Sequence, residues 1–224
     1  MNFWSRTYAV FWKDLRAELR TRETAGTTLV FALLTVLTFS FAFDPTRMDA
    51  RTILPGTLWV TIFFAGTLGL GRSMAVERAA DTFSGLLASP AQPEEVFAGK
   101  FLANLLFTGA IEVVLVPVLV ALFRTPLVQW GWLVAVLALG TVGFVSVGTL
   151  LAAVASTART SELLLPLLLL PVAVPVAIGA VEATAAIIAG APLAEWSAWG
   201  RLLAVYDVLM LAVPQLVFRY LLES

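Results

Sequence analysis

Apolar residues in this chain fall into six long continuous runs that polar stretches separate. Each run approaches or exceeds the ~20 apolar residues that a helix needs to cross a hydrocarbon core. A membrane β-barrel would instead show alternating segments of about ten residues. The pattern predicts an all-α integral membrane protein with six transmembrane helices, which are Thr27 to Phe43, Ile53 to Gly71, Phe101 to Phe123, Trp130 to Ala155, Leu163 to about Val181, and Leu202 to Leu222.

The first 26 residues have a helical rather than a continuous apolar pattern. Six large apolar residues recur every three or four positions and share one face, while Lys13 and Arg16 lie elsewhere on the helical wheel. The six are Trp4, Tyr8, Phe11, Trp12, Leu15 and Leu19. Tryptophan and tyrosine suit the headgroup boundary of a bilayer. Residues 1–26 are therefore predicted to form an amphipathic arm that lies in the membrane plane.

Composition narrows the functional classes. Of the 224 residues, 60% are hydrophobic and 13% are charged, so little polar material remains to cover a soluble protein. The chain has no His and no Cys, which removes the commonest metal ligand and general base together with any thiolate chemistry. No G-x-x-x-x-G-K-[ST] motif is present, so ATP cannot bind this chain in a P-loop. We expect a non-catalytic membrane domain over residues 1–224, with lipid around it and no nucleic-acid partner.

The positive charges are distributed unevenly along the chain. Ten of the 14 lysines and arginines lie in the arm, in the long polar segment between the second and third spans, in the Arg159 loop and at the C-terminal end. Because basic residues concentrate on the cytoplasmic side of bacterial membranes, both termini and the polar segment are expected in the cytoplasm.

The polar segment, residues 72–100, predicts a helix, a break at Ser89-Pro90, and a second helix from Pro93. Apolar and polar positions occupy opposite faces of its first helix. The apolar positions are Ala79, Phe83, Leu86 and Leu87, and the polar ones are Glu77, Arg78, Asp81 and Ser84. Two interpretations are open: a surface helix that only connects two spans, or a docking element for a cytoplasmic partner.

The fifth span contains Pro166, Pro171 and Pro175, and then continues as an apolar stretch as far as Gly190. Each proline removes a backbone donor. The run from Leu163 to Gly190 is 28 residues long, which is more than one straight helix needs to cross the bilayer. The sequence predicts that this helix breaks and that residues 182–200 form a re-entrant or interfacial segment in the outer leaflet.

Four charged residues fall inside or beside the predicted spans. Glu112 lies near the middle of the third span, where a charge costs about 2.5–3.5 kcal/mol. It is either a coupling or gate residue at a subunit interface, or a neutral acid bonded to a nearby hydroxyl or backbone group. Glu182, Arg201 and Asp207 are expected to cluster in the outer leaflet, where they form an outer gate, a surface that meets a partner on the outer side, or an ion pair that fixes the re-entrant turn.

Four blocks of the chain resemble the cytochrome c maturation protein B family (CcmB). They are "KDLRAELRTRET", "VERAADTFSGLLASPAQPEEVFAGKFLANLLF", "SELLLPLLLLPVAVPVAIGAVEATAAIIAG" and "RLLAVYDVLMLAVPQLVFRYLLE". The resemblance implies a permease subunit of a type-2 ABC exporter in the bacterial inner membrane, present in two copies. It also implies an ATPase subunit, CcmA, which holds the ATP, together with CcmC, CcmD and the haem chaperone CcmE. ATP hydrolysis would release haem-loaded CcmE.

The resemblance also implies roles for particular residues. ATPase-coupling contacts are expected in the arm and the polar segment, at Lys13, Arg16, Glu77, Arg78, Asp81, Phe83 and Leu86. No cofactor is expected to bind stably, and haem is expected to bind only transiently. Two alternatives remain open: a permease of the same fold for a lipid or drug, and a proton-coupled secondary transporter that uses Glu112.

Overall fold

The structure is a computed structural model that describes residues 2–21, 23–43, 49–79, 92–126, 128–156 and 161–223. For residues 50, 76–79, 161–162 and 215–223 it describes the backbone only. Within these ranges the chain forms helices and no strands. The helices are α1 (Phe3–Thr21), α2 (Glu23–Ala42), α3 (Ala50–Ala79), α4 (Pro93–Phe123), α5 (Trp130–Ser156), α6 (Ser161–Ile188) and α7 (Leu193–Glu223).

Helices α2 to α7 are each long and apolar enough to cross a membrane. The prediction of an all-α, six-span membrane protein is confirmed. The apolar parts of the six helices are Glu23–Ala42, Arg51–Ala75, Pro93–Phe123, Trp130–Ser156, Leu163–Ile188 and Leu193–Pro214.

The predicted arm is helix α1, which packs against α4 and touches α2. We call the end of the bundle where α1 meets the first turns of α4 the arm end. The opposite end holds the α4–α5 connection and the turn between α6 and α7. Successive spans run between these two ends in alternating directions.

Helix α5 lies at the centre of the bundle and contacts α3, α4, α6 and α7. Small residues along it let large neighbours approach its backbone. The Trp59 ring of α3 covers Gly140, and Tyr206 and Asp207 of α7 cover Gly143, so closely that a Cβ atom at either glycine would overlap these side chains. Close approach at small residues is how membrane helices gain packing energy where no hydrophobic driving force exists between them.

The predicted break in the fifth span is wrong. Helix α6 continues without interruption from Ser161 to Ile188 with its three prolines inside it. Neighbouring helices can make up for missing backbone donors inside a membrane, which is why prolines are tolerated there. At 1.5 Å per residue, 28 residues extend about 42 Å, and a tilted helix of that length can still span the ~30 Å hydrocarbon core.

Residues 182–200 therefore do not form a separate re-entrant segment. They contribute the last turns of α6, a short turn, and the first two turns of α7. The turn contains Gly190 with φ +77°, a left-handed conformation that glycine adopts without steric cost. Pro192 follows, and α7 begins at Leu193 rather than at the predicted Leu202.

Proline also interrupts the hydrogen bonding of α7, and α5 compensates for it. Pro214 has no N–H, so the carbonyl of Met210, one turn earlier, loses its partner within the helix. The Ser146 hydroxyl of α5 donates a hydrogen bond to that carbonyl. A polar residue in an otherwise apolar helix thus supports the backbone of its neighbour.

Candidate functional site

Two ion pairs fasten the arm to the start of α4. Arg6 Nη1 donates to Glu95 Oε2 at 3.4 Å, and Lys100 Nζ donates to Asp14 Oδ2 at 3.1 Å. The side chains of Glu95 and Lys100 are 3% and 2% exposed, so both pairs are largely removed from solvent. Glu95 Oε2 also accepts the backbone N–H of Gln92 at 2.7 Å, which fixes the carboxylate at the beginning of the helix.

The arm contacts α4 through a face other than its aromatic one. Thr7 and Val10 are buried, and Asp14 follows at helical spacing on the same face. Gly99 of α4 lies directly under Thr7 and Val10, with no room for a Cβ atom. The aromatic face remains exposed, with Trp4 at 73% and Tyr8 at 59%. One face of the arm therefore packs against α4, and its aromatic face is exposed.

The arm also contacts α2 and lies beside the end of α3. Glu18 Oε1 accepts the backbone N–H of Ala25 at 2.6 Å, which links α1 to the first turn of α2. Arg72 of α3 forms an ion pair with Glu23 of α2. A cavity of about 270 Å³ separates the arm from α3, and charged or polar side chains of α1, α2, α3 and α4 line part of it. The arm is therefore tightly packed on its α4 side and more loosely packed towards α3.

The residues predicted to couple to an ATPase lie at the arm end as far as the structure describes them. Lys13 and Arg16 are exposed on α1, and the Arg16 guanidinium lies 5.3 Å from the centre of the Trp12 ring. Glu77 and Arg78 belong to the last turn of α3, of which only the backbone is described. Asp81, Phe83 and Leu86 lie outside the described residues.

Sequence reasoning missed the residues that hold the arm. The sequence pattern assigned no role in holding the arm to Arg6, Asp14, Glu95, Gly99 or Lys100. One available signal is the Thr7, Val10 and Asp14 spacing, which marks a second face of the arm.

Glu112 is buried in the middle of α4, where it faces α5. The Thr141 hydroxyl of α5 donates a hydrogen bond to Glu112 Oε1. One of the two predicted environments, an acid bonded to a nearby hydroxyl, is therefore present. This geometry leaves open whether Glu112 also acts as a gate or coupling residue.

Glu182, Arg201 and Asp207, which were predicted to cluster, lie in two different environments. Glu182 of α6 and Arg201 of α7 are both exposed, and Asp207 is buried against Gly143 of α5. Among the residues that the structure describes, Arg201 has no carboxylate within 4.0 Å. The expected ion pair between Arg201 and an acid of this group is therefore not formed.

Asp207 lies near the middle of helix α7. Its Oδ1 atom is buried and has no hydrogen-bond partner in the described part of the chain. The neighbouring Tyr206 hydroxyl donates to the Val172 carbonyl of α6 at 2.9 Å, which ties α7 to the proline-containing helix. Because Thr141 and Gly143 are two residues apart on α5, Glu112 and Asp207 approach the central helix at nearly the same depth.

Comparison with known proteins decides the family. The family model described as CcmB protein matches residues 5–221, which is nearly the whole chain. This chain belongs to the CcmB family. The resemblance found in the four sequence blocks is confirmed.

Several bacterial relatives of this CcmB-family chain are named Heme exporter protein B. The protein of Paracoccus denitrificans is 34% identical over 183 residues, which cover 82% of this chain and 84% of the relative. The Rhodobacter capsulatus protein is 32% identical over 78% of this chain and 80% of its own length. The Bradyrhizobium diazoefficiens protein is 30% identical over 81% of this chain and 82% of its own length.

Proposed function

We propose that this chain is the membrane permease subunit of a haem exporter and works in cytochrome c maturation. The observation that carries the proposal is the CcmB family match over residues 5–221, together with relatives named Heme exporter protein B. The six-span architecture suits a permease, because it offers a bundle of apolar helices around a central one.

In this proposal the chain is non-catalytic and the energy comes from a separate ATPase subunit, CcmA. CcmA contacts the arm and the polar segment, with Glu77, Arg78, Asp81, Phe83 and Leu86 on the segment. Lys13 and Arg16 contribute from the exposed side of the arm. CcmC, CcmD and haem-loaded CcmE complete the complex, which contains two copies of this chain. Haem binds only transiently, and no cofactor is bound permanently.

The contacts at the arm end support a mechanical role. Helix α4 begins at Pro93, inside the polar segment, and within its first eight residues it is fixed to the arm by Glu95 and Lys100. A displacement of the polar segment would therefore move α4 and the arm together rather than either one alone. Because α4 also carries Glu112 and crosses the whole bundle, the same movement is transmitted towards the opposite end.

The proposed orientation follows the distribution of basic residues. The arm end faces the bacterial cytoplasm, together with both termini, and the opposite end faces the periplasm, where CcmE acts. Glu182 and Arg201, exposed towards the opposite end, and the buried Glu112 and Asp207 are then candidates for residues that shape the outer gate.

Co-purification from membranes that contain the whole complex tests this proposal. The variant combines Glu77→Ala, Arg78→Ala and Asp81→Ala, and the measurements are ATPase recovery, ATP hydrolysis and release of holo-CcmE. We expect the unmodified chain to retain the ATPase, and the variant to lose most of the bound ATPase and most of the CcmE release while inserting normally.

A matched control changes exposed charges at the opposite end, with Arg51→Ala and Glu195→Ala. This control should keep ATPase binding and CcmE release. If the unmodified chain binds no ATPase and its activity follows the proton gradient, the proton-coupled alternative replaces the proposal. If ATPase binds but CcmE release does not depend on it, a permease for a lipid or drug is the better description.

A further inference from the structure

A groove runs along the outside of the bundle between α4 and α5. It encloses about 510 Å³ and its walls are apolar except at Glu112, Thr141 and the indole of Trp130. Past Leu105 and Gly109 it continues into a wider groove of about 810 Å³ that reaches the aromatic face of the arm. On α4 alone the two grooves extend from Leu102 to Pro117, which at 1.5 Å per residue is about 23 Å. The combined groove thus covers most of the thickness of a hydrocarbon core.

One buried carboxyl group in the groove has spare hydrogen-bonding capacity. Glu112 is 8% exposed, and the bond from Thr141 is its only hydrogen bond among the described side chains and backbone groups. A carboxyl group can accept about four hydrogen bonds. Glu112 is 11 residues, or about 17 Å, from the end of α4 at Phe123, so this unmet capacity lies near the middle of the membrane.

Lipid does not satisfy such a group. Acyl chains carry no donors, and lipid headgroups stay at the interface, about 15 Å from the bilayer centre. An acid that faces hydrocarbon with an unused acceptor is costly, whereas a donor on a neighbouring helix both satisfies it and holds the two helices together.

A second copy of this chain is also a poor occupant. A two-fold contact through the groove would set the same acidic face against itself and supply no base opposite Glu112. Arg201 on α7 is an exposed base within a span, but α7 does not line the groove, so a two-fold contact could set Arg201 opposite Glu112 only by bringing α7 and the groove onto one shared face. The charge pattern favours a different protein.

We propose that the groove between α4 and α5 receives a transmembrane helix of another subunit, which presents a hydrogen-bond-donating or basic side chain to Glu112. A groove between two adjacent helices has the shape that a third helix fills. Two small residues, Gly109 and Ala138, line the groove, and a Cβ atom added at Gly109 would meet nothing within 4 Å. The inference rests on the proposed function only in supposing that other membrane subunits accompany this chain.

Site-specific photocrosslinking in membranes that contain the whole complex tests the inference. A benzophenone amino acid replaces Val113 or Val134, which are 74% and 59% exposed and line the groove. Matched control positions are Val30 on α2 and Val174 on α6, which are 57% and 48% exposed on other faces. Each position is combined with native Glu112, with Glu112→Gln and with Glu112→Leu, and the crosslinked peptides are sequenced by mass spectrometry.

We expect both groove positions to crosslink to one membrane helix of another subunit, within about one turn of a donor or basic residue. Glu112→Leu should lower that adduct at least tenfold, and Glu112→Gln should retain at least half of it. In the Glu112→Leu background, exchange of the partner's donor residue for leucine should restore the adduct. Adducts with a second copy of this chain, with lipid only, or with nothing would overturn the inference, as would adducts that are insensitive to Glu112→Leu.

ATPase recovery is measured in the same preparations. If the ATPase is retained and the groove adduct is absent, the inference fails and the proposed function stands. If the ATPase itself is absent while the groove adduct forms, the proposed function fails and the inference stands.

Discussion

The contact between Gly99 and the arm allows docking of α1 to be tested separately from folding of the bundle. A Cβ atom at Gly99 would lie 2.6 Å from Cβ of Val10 and 2.8 Å from the Thr7 carbonyl oxygen. Ordinary carbon contacts are about 3.5–4.0 Å, so Gly99→Ala requires the arm to withdraw by about 1 Å. Overpacking of this kind costs about 1–3 kcal/mol, which changes the ratio of docked to undocked arm by a factor of about 5–150.

The same substitution favours helix α4 itself, because alanine is a better helix former than glycine by about 0.5–1 kcal/mol. Global unfolding is therefore the wrong measurement, and the distance between arm and bundle is the right one. The chain contains no Cys, so Ala9→Cys and Val114→Cys introduce two unique positions for spin labels. Both positions are exposed, on α1 and α4.

Double electron–electron resonance in nanodiscs should show one narrow distance distribution for the otherwise unmodified chain. Gly99→Ala should add a longer and broader population. The control Gly109→Ala lies on the same helix, and its new Cβ atom would meet nothing within 4 Å, so its distribution should match the unmodified one. Identical distributions for all three proteins would refute the argument that the arm is held by direct backbone contact.

Two further predictions concern pairs of contacts. Lys100→Met should lower the free energy of unfolding in detergent by about 1–3 kcal/mol, because Asp14 then keeps only the exposed Lys13 as its ion-pair partner among the described residues. Adding Asp14→Leu should recover most of the loss, and no recovery would argue against the pair. Ser146→Ala should lower it by about 0.6–2 kcal/mol, because the Met210 carbonyl loses its donor. Ser197→Ala, on the exposed surface, is the matched control, and equal effects of the two serine variants on the unfolding midpoint would contradict that account.

The membrane architecture was predictable because it depends on local rules. A helix that crosses a bilayer needs an apolar run of a certain length, and the chain contains six such runs. The errors arose where composition was used to decide helix continuity. Three prolines in α6 and the length of its apolar run suggested a break, yet backbone geometry in a bundle depends on what neighbouring helices supply.

The arm contacts were not predictable, because they join residues far apart in the chain. Asp14 and Lys100 are separated by 86 positions and Arg6 and Glu95 by 89, and nothing local indicates which acid meets which base. Local periodicity located the aromatic face of α1 correctly. The face that α4 buries combines Thr7 and Val10 with the charged Asp14; their spacing marks a second face of the arm, but only the tertiary structure shows that α4 covers it.

Helix α4 connects the features that matter most for a transport role. Its first two turns are fixed to the arm, and its middle places Glu112 against Thr141 of the central helix. Lys100 and Glu112 are 12 residues apart, about 18 Å along one rigid helix, so a tilt of α4 at the arm end displaces Glu112 relative to α5. Because the Glu112 hydrogen bond and the groove lie at that point, movement of the arm and occupation of the groove act on the same contact. The two proposals together therefore predict that subunits bound at the arm end and in the groove are energetically coupled through α4.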